Sequence, residues 1–291
     1  MKLLSWNIQW CRGVDGLVDP ARIARTVKET ADADVICFQE VARNFPTLAG
    51  SDGEDQFALL AAAFPDYAAV EGIAVDVPDV REPALGTRSQ FGNLLLSRLP
   101  LGPVCRYLLP RAADPVHADM QRVAIEATIE SSGGPLRVTT THLAYYSQSQ
   151  RLQQVAALRE MHSQAHAQGR RPAKADVSRG PFHWTRKPDA AIVVGDFNFT
   201  ADATEYTQML VPFTDGTPGL HDAWHALNPG LSHAATVGIY DRAQWPQPFC
   251  CDFAFISADL TKKLAGFEIN SATDASDHQP LLLTFAFPGK P

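Results

Sequence analysis

AIVVGDFNFT, residues 191–200, decides how this chain folds. Four apolar residues run from Ala191 to Val194 without a polar break, and a glycine, a carboxylate, an aromatic ring and an amide follow. A short unbroken run rich in β-branched residues reads as a strand buried on both faces. Gly195 is expected to end it. Asp196 and Asn198 stand two apart, the spacing that sends strand side chains to one face. A carboxylate and an amide at the mouth of a buried strand can hold an anionic substrate, a metal ion or an attacking water. Simple turn chemistry is the competing reading, because Asp, Asn and Gly are the usual turn residues.

The same signature, an apolar strand ending on polar groups, recurs outward in both directions. Residues 2–8 (KLLSWNI) read as a strand with Asn7 near its end. Asp19-Pro20 then opens a helix to about Ala31, with Asp as cap and Pro in the first turn. DVICFQEV (34–41) is a second buried strand, ending on Gln39-Glu40. Strand, helix, strand in this span is a βαβ unit, whose ligands gather at the carboxyl ends of its strands.

Further along, a helix is expected over 54–64, an irregular loop over 73–90, and a strand at FGNLLLSRLP (91–100). RVAIEATIE (122–130) and LRVTTTHL (136–143) form a hairpin through SSGGP, delivering His142 near the end of the second strand. A long helix follows over about 149–168. The basic, Pro- and Gly-containing stretch 169–189 reads as a substrate-facing loop or lid. After GDFN come a helix near 202–211 and a short one near 220–227. CDFAFIS (251–257) is a strand with Asp252 near its start, and SDHQPLLLTFAF (276–287) puts Asp277 and His278 before the last strand. With no repeat or composition shift, a single domain over 1–291 is expected.

Composition narrows the function classes. The 291 residues can bury a sizeable core, and 45% hydrophobic with 20% charged residues is ordinary globular usage. A formal charge of −7 argues against broad affinity for nucleic acid, though a local basic groove or an acidic metal site fits it. Loop residues Arg81, Arg88, Arg111, Arg170, Arg171, Arg179, Arg186 and Lys187 could line such a groove or be surface charge. Five cysteines without CxxC spacing read as reduced thiols, so a cytoplasmic protein is expected. Nothing reads as a signal peptide or membrane span, so no membrane insertion is expected.

Asn7, Glu40, His142, Asp196, Asn198, Asp252, Asp277 and His278 each border an apolar strand. One such residue means little; eight drawn from the whole chain suit phosphodiester cleavage. That reaction must neutralise phosphate charge, position a water and assist the leaving oxygen. The oxygen donors Glu40, Asp277 and Asn7 favour Mg²⁺ or Mn²⁺ over zinc. No GxSxG nucleophile elbow and no Walker A loop occurs.

The set SWNIQW, ICFQEV, FGNLLLSR, THL, GDFN, CDFAFIS and SDHQP resembles the endonuclease/exonuclease/phosphatase superfamily, of the pancreatic-deoxyribonuclease type. The resemblance implies a four-layer α/β sandwich, two mixed sheets packed face to face with helices outside. It implies Glu40 as principal metal ligand with Asn7 beside it, and Asp277 as a metal-site or supporting carboxylate. Asp196 and Asn198 would hold or activate water and bind the phosphate. His278 would contact the phosphate or act as acid/base, oriented by Asp252, and His142 would stabilise the transition state or protonate the leaving group. Two departures are visible: Cys250-Cys251 where many relatives carry an Arg-hydrophobic pair, and Gln9 where some abasic-site nucleases have an acid. THLAYY replaces the asparagine-and-tyrosine motif of the abasic-site repair branch, which points away from that branch. The expectation is a monomeric Mg²⁺-dependent hydrolase of a phosphate ester, with nucleic acid among the candidate substrates. A lipid or small-molecule phosphodiesterase, and a catalytically silent binding protein of the same fold, are the other readings.

Overall fold

A computed structural model describes residues 1–81, 86–171 and 187–287. Among them run β1 (Lys2–Asn7), α1 (Pro20–Thr30), β2 (Val35–Arg43), α2 (Gln56–Ala63), β3 (Ala68–Pro78) and β4 (Arg88–Ser97). There follow β5 (Leu101–Leu108), β6 (Val123–Ser131), β7 (Gly134–His142), α3 (Gln148–Gly169) and β8 (Ala191–Asp196). The chain closes with α4 (Thr204–Leu210), β9 (Leu220–Asp222), α5 (Ala223–Leu227), β10 (Asp252–Ser257), β11 (Leu264–Ile269) and β12 (Leu281–Phe285).

The strands form two six-stranded sheets, ordered β11-β12-β1-β2-β4-β3 and β5-β6-β7-β8-β10-β9. Each holds one parallel pair near its middle, β1 with β2 and β7 with β8. Strand alternation explains the unbroken apolar runs. Leu3, Ile192 and Val194 point between the sheets, where they pack with Val35, Ile125, Val138 and Leu283. Leu4 and Trp6 turn outward to meet Ile23, Val27, Phe57 and Leu60 of α1 and α2. Val193 turns the other way, into a layer with Val155 and Leu158 of α3 and Tyr206 and Met209 of α4. Helix, sheet, sheet, helix is the four-layer α/β sandwich.

Local chemistry sets the helix starts. Asp19 accepts the Arg22 N–H ahead of α1, whose first residue is Pro20, and Asp55 and Ser147 cap α2 and α3 in the same way. Between the sheets, Gly72 of β3 sits so close to β6 that a Cβ there would meet Ile125 Cγ1 at 2.5 Å. Small size at that position sets how closely the sheets dock.

The architecture corrects three local readings. The segment expected as an irregular loop over 73–90 contains the end of β3 and the start of β4, an edge hairpin whose Pro and charged residues suit an exposed rim. β5 and β11 lie where no strand is expected, because they are edge strands with mixed polarity. Gly195 does not end its strand: β8 continues through Asp196, with Gly195 at φ +145°. A Cβ on Gly195 would lie 1.9 Å from the Thr141 carbonyl oxygen, so the glycine lets β7 and β8 close together. Most of the 169–189 stretch, including Arg179, Phe182, His183, Trp184 and Arg186, lies outside the described residues.

Candidate active site

Both sheets bring polar strand ends to the same edge of the sandwich. From the first come Asn7 at the end of β1, Glu40 in β2, and Asp277 and His278 ahead of β12. From the second come His142 at the end of β7, Asp196 at the end of β8, and Asp252 at the start of β10. A cavity of about 320 Å³ opens there, lined by Glu40, His142, Asp196, Asn198, Asp277 and His278, with Trp10, Arg122, Tyr145, Gln244 and Trp245 also on its wall.

Backbone devices aim two of these groups. Between Phe38 and Val41 the β2/β4 register takes up an extra residue, a bulge, and Glu40 sits there at φ +60°. The left-handed conformation, costly for a glutamate, sends its carboxylate toward the cavity. Asn198 has φ +52° in the turn after β8, and its N–H donates to Asp196 Oδ1 at 2.9 Å. The GDFN turn and the site are therefore one device: the bond that shapes the turn also fixes the carboxylate.

Cross-sheet hydrogen bonds hold the rest. Asn7 Nδ2 donates to Glu40 Oε1 at 3.1 Å and to Asp196 Oδ2 at 2.9 Å, while its Oδ1 accepts the Gln9 N–H at 3.1 Å. As placed, the Asn7 amide nitrogen orients both carboxylates, and its oxygen keeps one lone pair for an ion. Asp277 Oδ2 accepts from Gln9 Nε2 at 2.9 Å and from Gln244 Nε2 at 3.2 Å. Beneath the site, Gln39 Nε2 donates to Thr140 Oγ1 of the other sheet at 2.9 Å.

The two histidines are held in opposite states. His278 Nδ1 is 2.9 Å from Asp252 Oδ2, and its Nε2 is 3.7 Å from Asp196 Oδ2. Burial works against the imidazolium, but Asp252, Asp196 and Asp277 outweigh it and hold the His278 pKa well above its ordinary value. His142 Nε2 accepts from Asn198 Nδ2 at 2.9 Å. Burial, with Arg122 and His278 nearby, holds His142 well below the ordinary value, so it stays neutral. The carboxylates shift the other way. Burial, then the charge of Asp277, raises Glu40 to about 7. Burial raises Asp196 to about 6, against the pull of His278.

A carboxylate pushed upward by burial, with a second carboxylate beside it, is chemistry that a divalent cation relieves. Glu40 and Asp277 offer hard oxygen donors on one cavity wall, a set that fits Mg²⁺ or Mn²⁺. Asp196, Cys251 and His278 also bring ligand atoms within 4.8 Å of one another. The Cys251 thiol, however, is pushed well above its ordinary pKa by burial and by Asp252, and stays protonated.

Arg122 is a cavity residue that no motif in the sequence marks. It lies just ahead of β6, where Asn93 of β4 donates to the neighbouring Val123 carbonyl at 3.0 Å. The residue is only 7% exposed, its Nε and one terminal nitrogen have no hydrogen-bond partner, and burial lowers its pKa to about 10. A buried guanidinium with unpaired N–H groups beside a cavity is built for an anion. The available signal was the quoted RVAIEATIE, whose arginine precedes an otherwise apolar strand. Gln9 and Gln244 were likewise not singled out for contact with Asp277.

The sequence profile of the Endonuclease/Exonuclease/phosphatase family matches residues 4–278. No curated protein sequence matches the chain. Among solved structures, an endonuclease/exonuclease/phosphatase from Beutenbergia cavernae superposes with a TM-score of 0.71 at 22% identity, covering 100% of this chain and 72% of that one. The mannosyl-6-phosphatase Bt3783 of Bacteroides thetaiotaomicron gives 0.63 at 17% identity, covering 99% of this chain and 100% of that one. The human Nocturnin catalytic domain with bound sulfate gives 0.62 at 17% identity, covering 99% and 93%. With its whole sandwich and the profile match in agreement, the chain belongs to the endonuclease/exonuclease/phosphatase family, whose enzymes are phosphoesterases.

Proposed function

We propose that this protein is a Mg²⁺- or Mn²⁺-dependent hydrolase of a phosphate ester, acting by attack of water on phosphorus. The observation that carries the reading is the buried Arg122 guanidinium, with two unpartnered N–H nitrogens, lining the same cavity as Glu40, Asp196, Asp277 and His278, whose ring is held from behind by Asp252. Glu40 and Asp277 would hold the cation, with Asn7 beside them. The chemistry a bound cation supplies there is neutralisation of phosphate charge. Asp196, fixed by Asn7 and Asn198, accepts the proton of the attacking water. The His278 imidazolium and Arg122 stabilise charge on the phosphate oxygens in the transition state. His142, neutral, takes one hydrogen of Asn198 Nδ2 and the Leu143 carbonyl the other, which leaves Asn198 Oδ1 as an acceptor for the water.

A small phosphate ester is the favoured substrate, a diester or a monoester. Tyr145 and Trp245, whose ring centroids lie 5.9 Å apart, border the cavity and offer a wall for an organic group. Among the described basic loop residues, Arg81, Arg88, Arg111 and Lys187 are already ion-paired, with Asp79, Asp76, Asp119 and Glu126. That spends charge a nucleic-acid groove would use. THLAYY supports a place outside the abasic-site branch. Among the described residues no helix is long and apolar enough to cross a membrane. A single catalytic domain, working as a cytoplasmic monomer, completes the proposal.

Purified protein with bis-p-nitrophenyl phosphate or p-nitrophenyl phosphate tests it. Nitrophenolate release should require Mg²⁺ or Mn²⁺ and be lost in Glu40→Gln. Release that is indifferent to the cation and to Glu40 defeats the proposal, and no release from either ester favours a binding protein.

A further inference from the structure

Away from the catalytic cavity, the outer layer over the second sheet gathers another set of metal-ligand side chains. Asp222, the last residue of β9, caps α5 with Oδ1, which accepts the His225 N–H at 3.0 Å. The cap leaves Oδ2 free for other partners. That oxygen lies 2.8 Å from His233 Nε2 and 3.0 Å from the Tyr206 hydroxyl. Tyr206 in turn stands 3.0 Å from His225 Nδ1, and the two imidazole rings are 4.5 Å apart. One ligand atom each from Asp222, His225 and His233 lies within 4.8 Å of the other two.

The local chain accounts for this convergence. His225 comes three residues after the cap, one helical turn on, so its ring returns over Asp222. His233 is brought back by the segment after α5, its ring packed edge-on against Phe253 with centroids 5.1 Å apart. Capping α5 needs one carboxylate oxygen and neither ring. Asp222 is buried and His225 exposed, and with Tyr206 both border a surface cavity of about 480 Å³. The cluster therefore has a floor, two ring nitrogens and an open side.

We propose that Asp222, His225 and His233 form a second metal site, for a divalent transition metal and Zn²⁺ first. Two imidazoles and one carboxylate are nitrogen and oxygen donors of the kind zinc takes, with a fourth position left for water or the Tyr206 hydroxyl. Mg²⁺, which prefers oxygen throughout, belongs at Glu40 and Asp277 instead. On binding, Asp222 Oδ2 exchanges its N–H and O–H donors for the cation. The proton on His233 Nε2 passes to Nδ1 or to solvent, leaving a neutral imidazole ligand. The ion clasps β9, α5 and the segment carrying His233 over Phe253, the residue next to Asp252.

The test uses metal-free full-length protein carrying Glu40→Gln, which cripples the first site, and Co²⁺ as the coloured stand-in for Zn²⁺. One equivalent of Co²⁺ should give visible bands of nitrogen–oxygen ligation that Zn²⁺ abolishes, and Zn²⁺ should raise Tm by several degrees. His225→Gln and His233→Gln, added singly, should each weaken Co²⁺ binding by roughly 100-fold or more, the upper end of what losing a mere outer partner costs. Both should keep the circular dichroism of the parent, which separates loss of a ligand from loss of the fold. Binding and bands that survive both histidine substitutions overturn the site. So does a thiolate charge-transfer band removed by Cys251→Ala, which moves the ion to Asp196, Cys251 and His278.

Discussion

His278 Nδ1 lies 2.9 Å from Asp252 Oδ2, although Asp252 opens β10 of the second sheet and His278 precedes β12 of the first. The residue next to His278 in sequence, Asp277, is engaged elsewhere, by Gln9 and Gln244. The orienting carboxylate thus comes from across the seam between the sheets. Asp252 fixes the ring and keeps it protonated.

Asp252→Asn therefore tests the pair. The protonated ring is the form the reaction uses, so activity falls on the alkaline side as pH passes the raised His278 pKa. Removing the carboxylate lowers that pKa, and the basic limb of the pH–rate profile should move to lower pH. A fall in kcat of roughly 10²-fold or more is expected, within the general acid–base range. An unchanged limb with full activity would leave Asp252 without this role.

Arg122 separates stability from activity. In the free protein its unpaired N–H groups cost stability, on the order of 1–3 kcal/mol for a buried unsatisfied donor. Arg122→Met should raise Tm while lowering kcat/KM by roughly 10²–10³-fold, the loss typical of a missing transition-state donor. Arg122→Lys should rescue poorly, since a point charge cannot reproduce the planar fork. Thermal unfolding and steady-state kinetics on the same preparations read both.

Chelation should abolish hydrolysis, and Mg²⁺ should restore it with hyperbolic dependence. Asn7→Ala removes the donor that holds Glu40 and Asp196. It should raise the Mg²⁺ concentration for half-activation by roughly 10–100-fold, as for an outer partner of a metal ligand. Initial rates against Mg²⁺ measure it.

Acid stability has a separate source, on the far side of the second sheet. Burial first, and then Arg137, lowers His162 to about 4. Its Nδ1 faces Arg137 at 2.8 Å and its Nε2 the Pro218 carbonyl at 2.9 Å, an arrangement for the neutral ring. A depressed pKa contributes stability that is whole above the unfolded value, near 6.5, and is lost as pH falls toward 4. Urea unfolding should show wild type losing about 2–3 kcal/mol from this group between neutral pH and pH 4.5. His162→Gln, which keeps one acceptor and one donor, should flatten that part of the curve.

Much of this was legible in residues 191–200 and their counterparts. Runs such as AIVV and VICF are apolar on both faces because each strand has a layer on either side. Asp19-Pro20 announced α1 because the cap is a local bond. The edge strands β5 and β11 were not legible, since an edge faces water and its residues alternate weakly. At the site, polar residue types at strand ends were visible, but the partners were not. Asn7 to Asp196 spans both sheets, and the bulge at Glu40 depends on pairing with β4. Arg122 stayed hidden because an arginine before a strand looks like surface charge until burial is known.

The placement of β12 between β11 and β1 has a consequence for how the protein comes to life. Ser276 Oγ donates to the Asn7 carbonyl at 2.8 Å and Trp6 Nε1 to the His278 carbonyl at 2.9 Å, so the end of β1 and the approach to β12 lock together at the cavity. Lys2 pairs with Thr284, so the first sheet closes only through a pairing of very long sequence separation, whereas the second sheet does not depend on it. Until β12 is seated between β1 and β11, neither His278 nor Asp277 is in place. Enzymatic competence thus waits on a slow, non-local pairing, and recovery of turnover during refolding reports closure of the whole sandwich.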